Sequence, residues 1–212
     1  MEIKGVITGD IINSMTVKTE WRKMLLDTIQ EIVHELEVLS PMRLEFFRGD
    51  SFQIVVDNPV ETLKITVLLR AGLKCRTPKG SEQLWDARMA IGIGSIAYSS
   101  EKVVVSDGEA FHLSGWEFDE LGKRKLSVRT PWKEVNDELK VSTAFADDII
   151  SGWSATQAQV IYLTFLNKEF YQKEIALRLN KSAQSVSKLL SAGKESLIRF
   201  FLERFAQIMI KR

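Results

Sequence analysis

Cysteine occurs once in the 212 residues, at Cys75, and histidine twice, at His34 and His112. A single thiol excludes an internal disulfide, and a reducing cytoplasm is the compartment expected. The two histidines stand far apart with no ligand spacing, so His112 reads as a packed or partly exposed side chain rather than a metal ligand. No apolar run approaches the roughly 18 residues that a membrane span needs, so no membrane partner is expected. The N-terminus lacks a basic segment followed by an apolar core, and no secretion signal is expected. IGIG (91–94) lacks the third glycine and following helix of a dinucleotide fingerprint.

What is present is ordinary in bulk: 45% hydrophobic and 27% charged residues, enough for a globular core in one or two domains. The formal net charge of +1 hides an asymmetry. Residues 151–212 carry 10 Lys and Arg against 4 Asp and Glu, whereas residues 1–150 carry 19 against 24. A basic tail behind an acidic body points to a polyanionic partner for the tail, or to a solvated helical face.

Along the chain, 2–9 alternates as a strand, and apolar spacing predicts a helix from Thr16 or Lys18 to about Leu39. MRLEFFRGDSFQIVV (42–56) reads as two strands reversing at Gly49-Asp50. A second helix follows from Asn58-Pro59 to about Cys75, with Val60, Leu63, Val67 and Leu68 on one face, then a long strand over 85–98. This βαββαβ order is the ferredoxin-like arrangement. It sets the end of the first strand beside the start of the third. Asp10 occupies the first place and Asp50 the second. Two carboxylates that close repel unless a proton or cation lies between them, and Mg²⁺ (or Mn²⁺) with phosphate oxygens suits such a pair. Ile11, Ile12, Asn13 and Ser14 lead into the first helix, where free backbone N–H groups would receive a nucleoside triphosphate. The alternative is structural: Asp10 caps a helix and Asp50 shapes a turn.

These segments resemble the catalytic palm of class III nucleotide cyclases, also seen in GGDEF-type cyclases and polymerases, over about residues 3–130. GDII (9–12) is similar to the motif supplying a metal aspartate and a neighbouring carbonyl, and FRGDSF (47–52) to the hairpin supplying the second. ARMAIGIGSI (87–96) resembles a strand usually reading R-x-G-I-H-x-G. SDGEAFHLSGWEFDEL (106–121) resembles a helix usually reading G-x-A-V-N-x-A-A-R-L. The base-reading lysine of many cyclases is Phe46 here, and the transition-state asparagine and arginine are His112 and Trp116. Arg48 or the Lys123-Arg124-Lys125 run is expected to supply the missing positive charge.

After Pro131 the composition changes. Residues 132–153 read as an acidic linker with some helical character, and 154–212 as a compact helical block. A short helix from Gln172 to Leu179 and a last, long helix from Ser182 form a helix-turn-helix layout. FYQKEIALRLNKSAQSVSKLLSAGKESL (170–197) resembles the recognition half of sigma-factor region four. Lys173, Lys181, Ser182, Gln184, Ser185, Ser187 and Lys188 are the expected DNA contacts. Phe200, Phe201, Phe205, Ile208 and Met209 suit packing on the palm or a homodimer seam.

The whole resembles SatD-type bacterial proteins. The expectation is an α+β palm over 1–131, binding Mg²⁺ and a nucleotide, that controls an all-α DNA-binding domain over 154–212 in the cytoplasm. The alternative is an active nucleotidyl transferase or cyclase with a docking appendage.

Overall fold

Along β1 (Glu2–Ile11), Ile7 and Ile11 point to one apolar cluster and Val6 to another, so this strand is buried on both faces. The computed structural model of the chain describes residues 2–96, 103, 107–167 and 172–212, the Arg48 side chain excepted. The first half runs β1, α1 (Thr19–Leu36), β2 (Met42–Arg48), β3 (Ser51–Val56), α2 (Thr62–Cys75) and β4 (Ala87–Ile96). Then follow α3 (Glu109–Asp119), β5 (Leu126–Arg129), α4 (Lys133–Ser151), α5 (Ala155–Leu166), α6 (Gln172–Arg178), α7 (Ala183–Ala192) and α8 (Glu195–Met209).

The sheet order is β2-β3-β1-β4-β5. β1 pairs antiparallel with both β3 and β4, and β5 joins β4 in parallel. The expected α+β, ferredoxin-like order is therefore present, with β5 added. That strand has only the four residues LSVR, too few for a period to show. The strand expected over 85–98 is Ala87–Ile96, and Ala97 and Tyr98 lie outside the described residues.

One sheet face, with Ile7, Ile54 and Ile91, is covered by α1 and α2. The other, with Val6 and Val55, receives α3. Gly92 permits that approach: a Cβ there would lie 2.2 Å from the Ala110 carbonyl oxygen. α2 has hardly any exposed side, because α5 packs across it. A Cβ on Gly72 would meet Ile32 of α1 and Tyr162 of α5.

The acidic stretch expected as a linker is the 19-residue α4, whose Val135, Leu139, Ala146 and Ile150 enter the same apolar core as the sheet and α5–α8. The single long terminal helix expected from Ser182 is two helices. Lys194 adopts φ 55°, and the Gly193 carbonyl accepts from the Trp153 indole at 2.8 Å. A Cβ on Gly193 would press on Ile161, so close packing against α5 fixes the break. Within α8, Phe201, Phe205, Ile208 and Met209 are buried, whereas Phe200 is exposed.

α2 also carries charge into the interior. Arg70 is fully buried and donates to Asp86 twice at 2.8 Å, to Asp147 of α4 at 2.7 Å and to Ser151 at 3.0 Å. Burial pushes the Asp86 carboxyl up, but Arg70, Lys74 and Lys125 outweigh it and hold Asp86 below the usual range.

Candidate metal and nucleotide site

β1 extends two residues beyond the expected end, so Asp10 sits within the sheet rather than in a turn. Its register partners are Ser51 on β3 and Arg88 on β4. Opposite residues of antiparallel strands share a face, so the three side chains form one row. Ser51 Oγ donates to Asp10 Oδ1 and Arg88 Nη2 to Asp10 Oδ2, both at 3.4 Å. Asp50, on the hairpin after Gly49 (φ 61°), is near enough for its charge to act on the Asp10 carboxyl. Burial pushes the Asp10 carboxyl up, the Asp50 charge adds to this, and Arg88 opposes both. The two acids meet.

The turn after β1 is built by local bonds. Ile12 N–H donates to the Asp86 carbonyl at 3.0 Å, and Asn13, in the left-handed region, donates its amide to Gln83 at 2.6 Å. Thr16 N–H and hydroxyl return to the Asn13 carbonyl. Among the described residues, the backbone N–H groups of Asn13, Ser14 and Met15 have no acceptor. Of the four residues expected to receive phosphate, Ile11 is a buried strand residue and the Ile12 amide is already used. Asn13 and Ser14 keep free donors. The Arg48 side chain lies outside the described residues.

Beside Asp50 opens a cleft of about 400 Å³, lined by Ile11, Ser14, Met15, Arg22, Leu25, Leu26 and Gly49. Its size falls within the range of small-ligand sites, and its walls are mainly apolar. Arg22 braces the mouth by donating to the Val17 and Met15 carbonyls, each at 3.3 Å. Among the described residues no three His, Cys, Asp or Glu side chains gather as a metal cluster. The donor set is two carboxylates, hard oxygen ligands that fit Mg²⁺ completed by water and phosphate oxygens.

The other candidates for positive charge lie elsewhere. Lys125 faces Asp86 at 3.6 Å, and Arg124 donates to Ser127 at 3.1 Å beside Glu117. Those two members of the basic run are thus held by structural partners. Phe46 packs edge-on against Phe52, its ring part of the core margin. His112 lies 3.0 Å from Asp107 and against the Trp116 ring on α3. Arg22 lies in none of the motifs, and Arg88, the arginine of the R-x-G-I-H-x-G resemblance, had no role assigned to it. Arg88 had a signal, since the antiparallel β1–β4 pairing sets the start of one strand against the end of the other.

In the tail, Val186 and Ile175 are buried and Ala176 nearly so, which fixes α6 against α7. Lys173, Lys181, Ser182, Gln184, Ser185, Ser187 and Lys188 are all exposed. Ser182 caps α7 by accepting from Ser185 N–H at 3.1 Å, and their hydroxyls are 2.8 Å apart, so both have local structural duties. Part of the basic excess is neutralised internally: Arg204 meets Glu138 and Arg212 meets Glu134, both on α4.

No family model and no curated protein matches the chain. Solved structures resemble part of it. The active GGEEF domain of a diguanylate cyclase from Vibrio cholerae aligns with a TM-score of 0.42 and 14% identity, over 60% of this chain and 83% of that one. A bacterial light-regulated adenylyl cyclase aligns at 0.40 and 10%, over 60% and 75%. The fold is defined by the strand order and register of the chain itself. No helix among the described residues is long and apolar enough to cross a membrane.

Proposed function

We propose that the chain is a nucleotide-responsive regulator, its palm (1–131) binding Mg²⁺ and a nucleoside triphosphate and its tail (154–212) meeting DNA. Asp10 and Asp50 hold the cation, which when bound supplies charge neutralisation for the phosphates. Asn13 and Ser14 offer backbone N–H groups to those phosphates, and the adjoining cleft takes the nucleoside. The observation that carries this reading is the acidic pair itself. Asp10 pairs in register with Ser51, the residue after Asp50, so two carboxylates crowd one end of the sheet, and a cation between them would relieve their repulsion.

Occupancy acts on the tail by favouring one arrangement of the helices over another, which requires differential binding and no turnover. Asp86 supplies a physical link. Its carbonyl holds Ile12, and its carboxylate is joined through Arg70 to α4, which pairs with α8.

The test is thermal unfolding of the full chain with Mg²⁺ and a nonhydrolysable triphosphate. Ligand at 100 times Kd stabilises by about 2.7 kcal/mol. For a chain of this size that is a rise of roughly 5–11 °C. The rise disappears in Asp10→Ala and Asp50→Ala. An unchanged melting temperature with every nucleotide and with Mn²⁺ refutes the proposal.

A further inference from the structure

Most of the apolar residues expected to pack on the palm or form a homodimer seam are buried within the chain: Phe201, Phe205, Ile208 and Met209. Phe200 is not. It belongs to a strip of exposed apolar side chains shared by α4 and α8. Val141 is 61% exposed, Phe145 70%, Leu197 56% and Phe200 71%. Val141 and Phe145 stand four apart on α4, and Leu197 and Phe200 three apart on α8, so each pair lies on one helix face. The bridge from Glu138 to Arg204 sets the two pairs side by side, because Val141 is one turn beyond Glu138 and Phe200 one turn before Arg204. A second bridge, Glu134 to Arg212, fixes the helices as antiparallel. At about 200 Å² for a whole phenylalanine, the two phenylalanines alone leave roughly 280 Å² in water. With Val141 and Leu197 the strip reaches the few hundred Å² beyond which contiguous apolar patches become rare on monomers.

We propose that this strip is the seam of a homodimer, in which α4 of each copy lies on α8 of its partner. Charge selects that occupant. On α4, exposed Asp137 and Asp148 stand at the two ends of the Val141–Phe145 pair. On α8, exposed Lys194 precedes Leu197 and exposed Arg204 follows Phe200. Acid flanks one half of the strip and base the other, so the surface complements a second copy of itself. Asp148 and Lys194 each lie ten residues from the Glu138–Arg204 bridge, and so stand level in the antiparallel pair. A twofold axis parallel to the helices therefore sets Asp148 of one copy opposite Lys194 of the other, and Asp137 opposite Arg204. An axis across the helices sets α4 over α4 and brings acid to acid. The first arrangement is a four-helix bundle with the two copies of Val141, Phe145, Leu197 and Phe200 at its centre. It needs neither cation nor nucleotide.

The test is the mass of the full chain in solution, by sedimentation over a concentration series. The wild-type chain of 24.1 kDa gives a dimer of about 48 kDa. Phe145→Glu and Phe200→Glu, at exposed positions, keep the wild-type circular dichroism and give monomers. Asp148→Lys and Lys194→Asp each weaken the dimer about tenfold, because each sets like charges together at both symmetry-related contacts. Mixed in equal amounts, these two variants form a heterodimer at wild-type affinity, since every lysine then meets an aspartate. A change confined to one chain cannot give that rescue, and it decides the matter even where a glutamate variant misfolds. A wild-type chain that stays monomeric overturns the proposal and leaves the strip to a partner of different sequence. A dimer that survives folded Phe145→Glu and Phe200→Glu, or a mixture no tighter than either charge variant alone, overturns this seam.

Discussion

Replacing Arg70 by Met removes the charge at the centre of the interior network and keeps most of its volume. Breaking a buried ion pair from one side typically costs about 3–5 kcal/mol, since the remaining charge stays buried and uncompensated. Here Asp86 would keep Lys74 at 3.3 Å, Lys125 at 3.6 Å and the Ala87 N–H at 2.9 Å. Asp147 would keep the Lys125 N–H at 2.7 Å. With that residual support the loss falls at the lower end, about 3 kcal/mol. In urea, with a slope of about 2–3 kcal/mol/M, the midpoint drops by roughly 1–1.5 M.

The pH dependence supplies a second readout. Burial raises Asp86, but Arg70 leads the groups that hold it below its ordinary range. A carboxylate depressed in the folded state contributes stability above its unfolded pKa, about 3.9, and loses it as the pH falls through the folded value. Arg70→Met removes much of that depression, so its stability declines less steeply in acid than wild type. The double variant Arg70→Met/Asp147→Asn should lose less than the sum of the single changes, since the two residues share one bond. A loss below about 1 kcal/mol, or an unchanged acid limb, would show that the network is not a buried charge system in solution.

Three further outcomes are expected. Asp10→Asn should melt higher than wild type at pH 7, because burial and then Asp50 raise the Asp10 carboxyl and make its ionised form costly. This difference should shrink as the pH falls toward the unfolded carboxylate value of about 3.9, and a lower melting temperature at pH 7 would contradict it. Gly92→Ala should cost about 1–3 kcal/mol in urea unfolding because it presses on α3 backbone, whereas Gly115→Ala on the same helix should be neutral or stabilising. Lys181→Ala and Lys188→Ala should each weaken DNA retention and flatten its salt dependence by about 0.9 for every phosphate no longer neutralised, and retention indifferent to salt would point to a protein partner instead.

Local chemistry made much of the frame readable. Apolar alternation marks β1 and Gly49-Asp50 marks the hairpin. The acidic pair was legible because the βαββαβ order alone fixes which strand ends are neighbours. β5 was not, since four residues acquire strand character only by pairing in parallel with β4. Neither was the break at Gly193, which depends on Trp153 and Ile161 arriving from other segments.

Arg70 and Lys74 show the division most clearly. In TLKITVLLRAGLKC they look like the polar side of an amphipathic helix, yet both are buried. Sequence by itself determined the helix, through spacing and propensity that act within a few turns. Whether its charges meet water was decided by the tertiary structure, which brings Asp86 and Asp147 to Arg70 from 16 and 77 residues away. A cation can leave water only where carboxylates replace the lost hydration, and those partners exist only in the assembled fold.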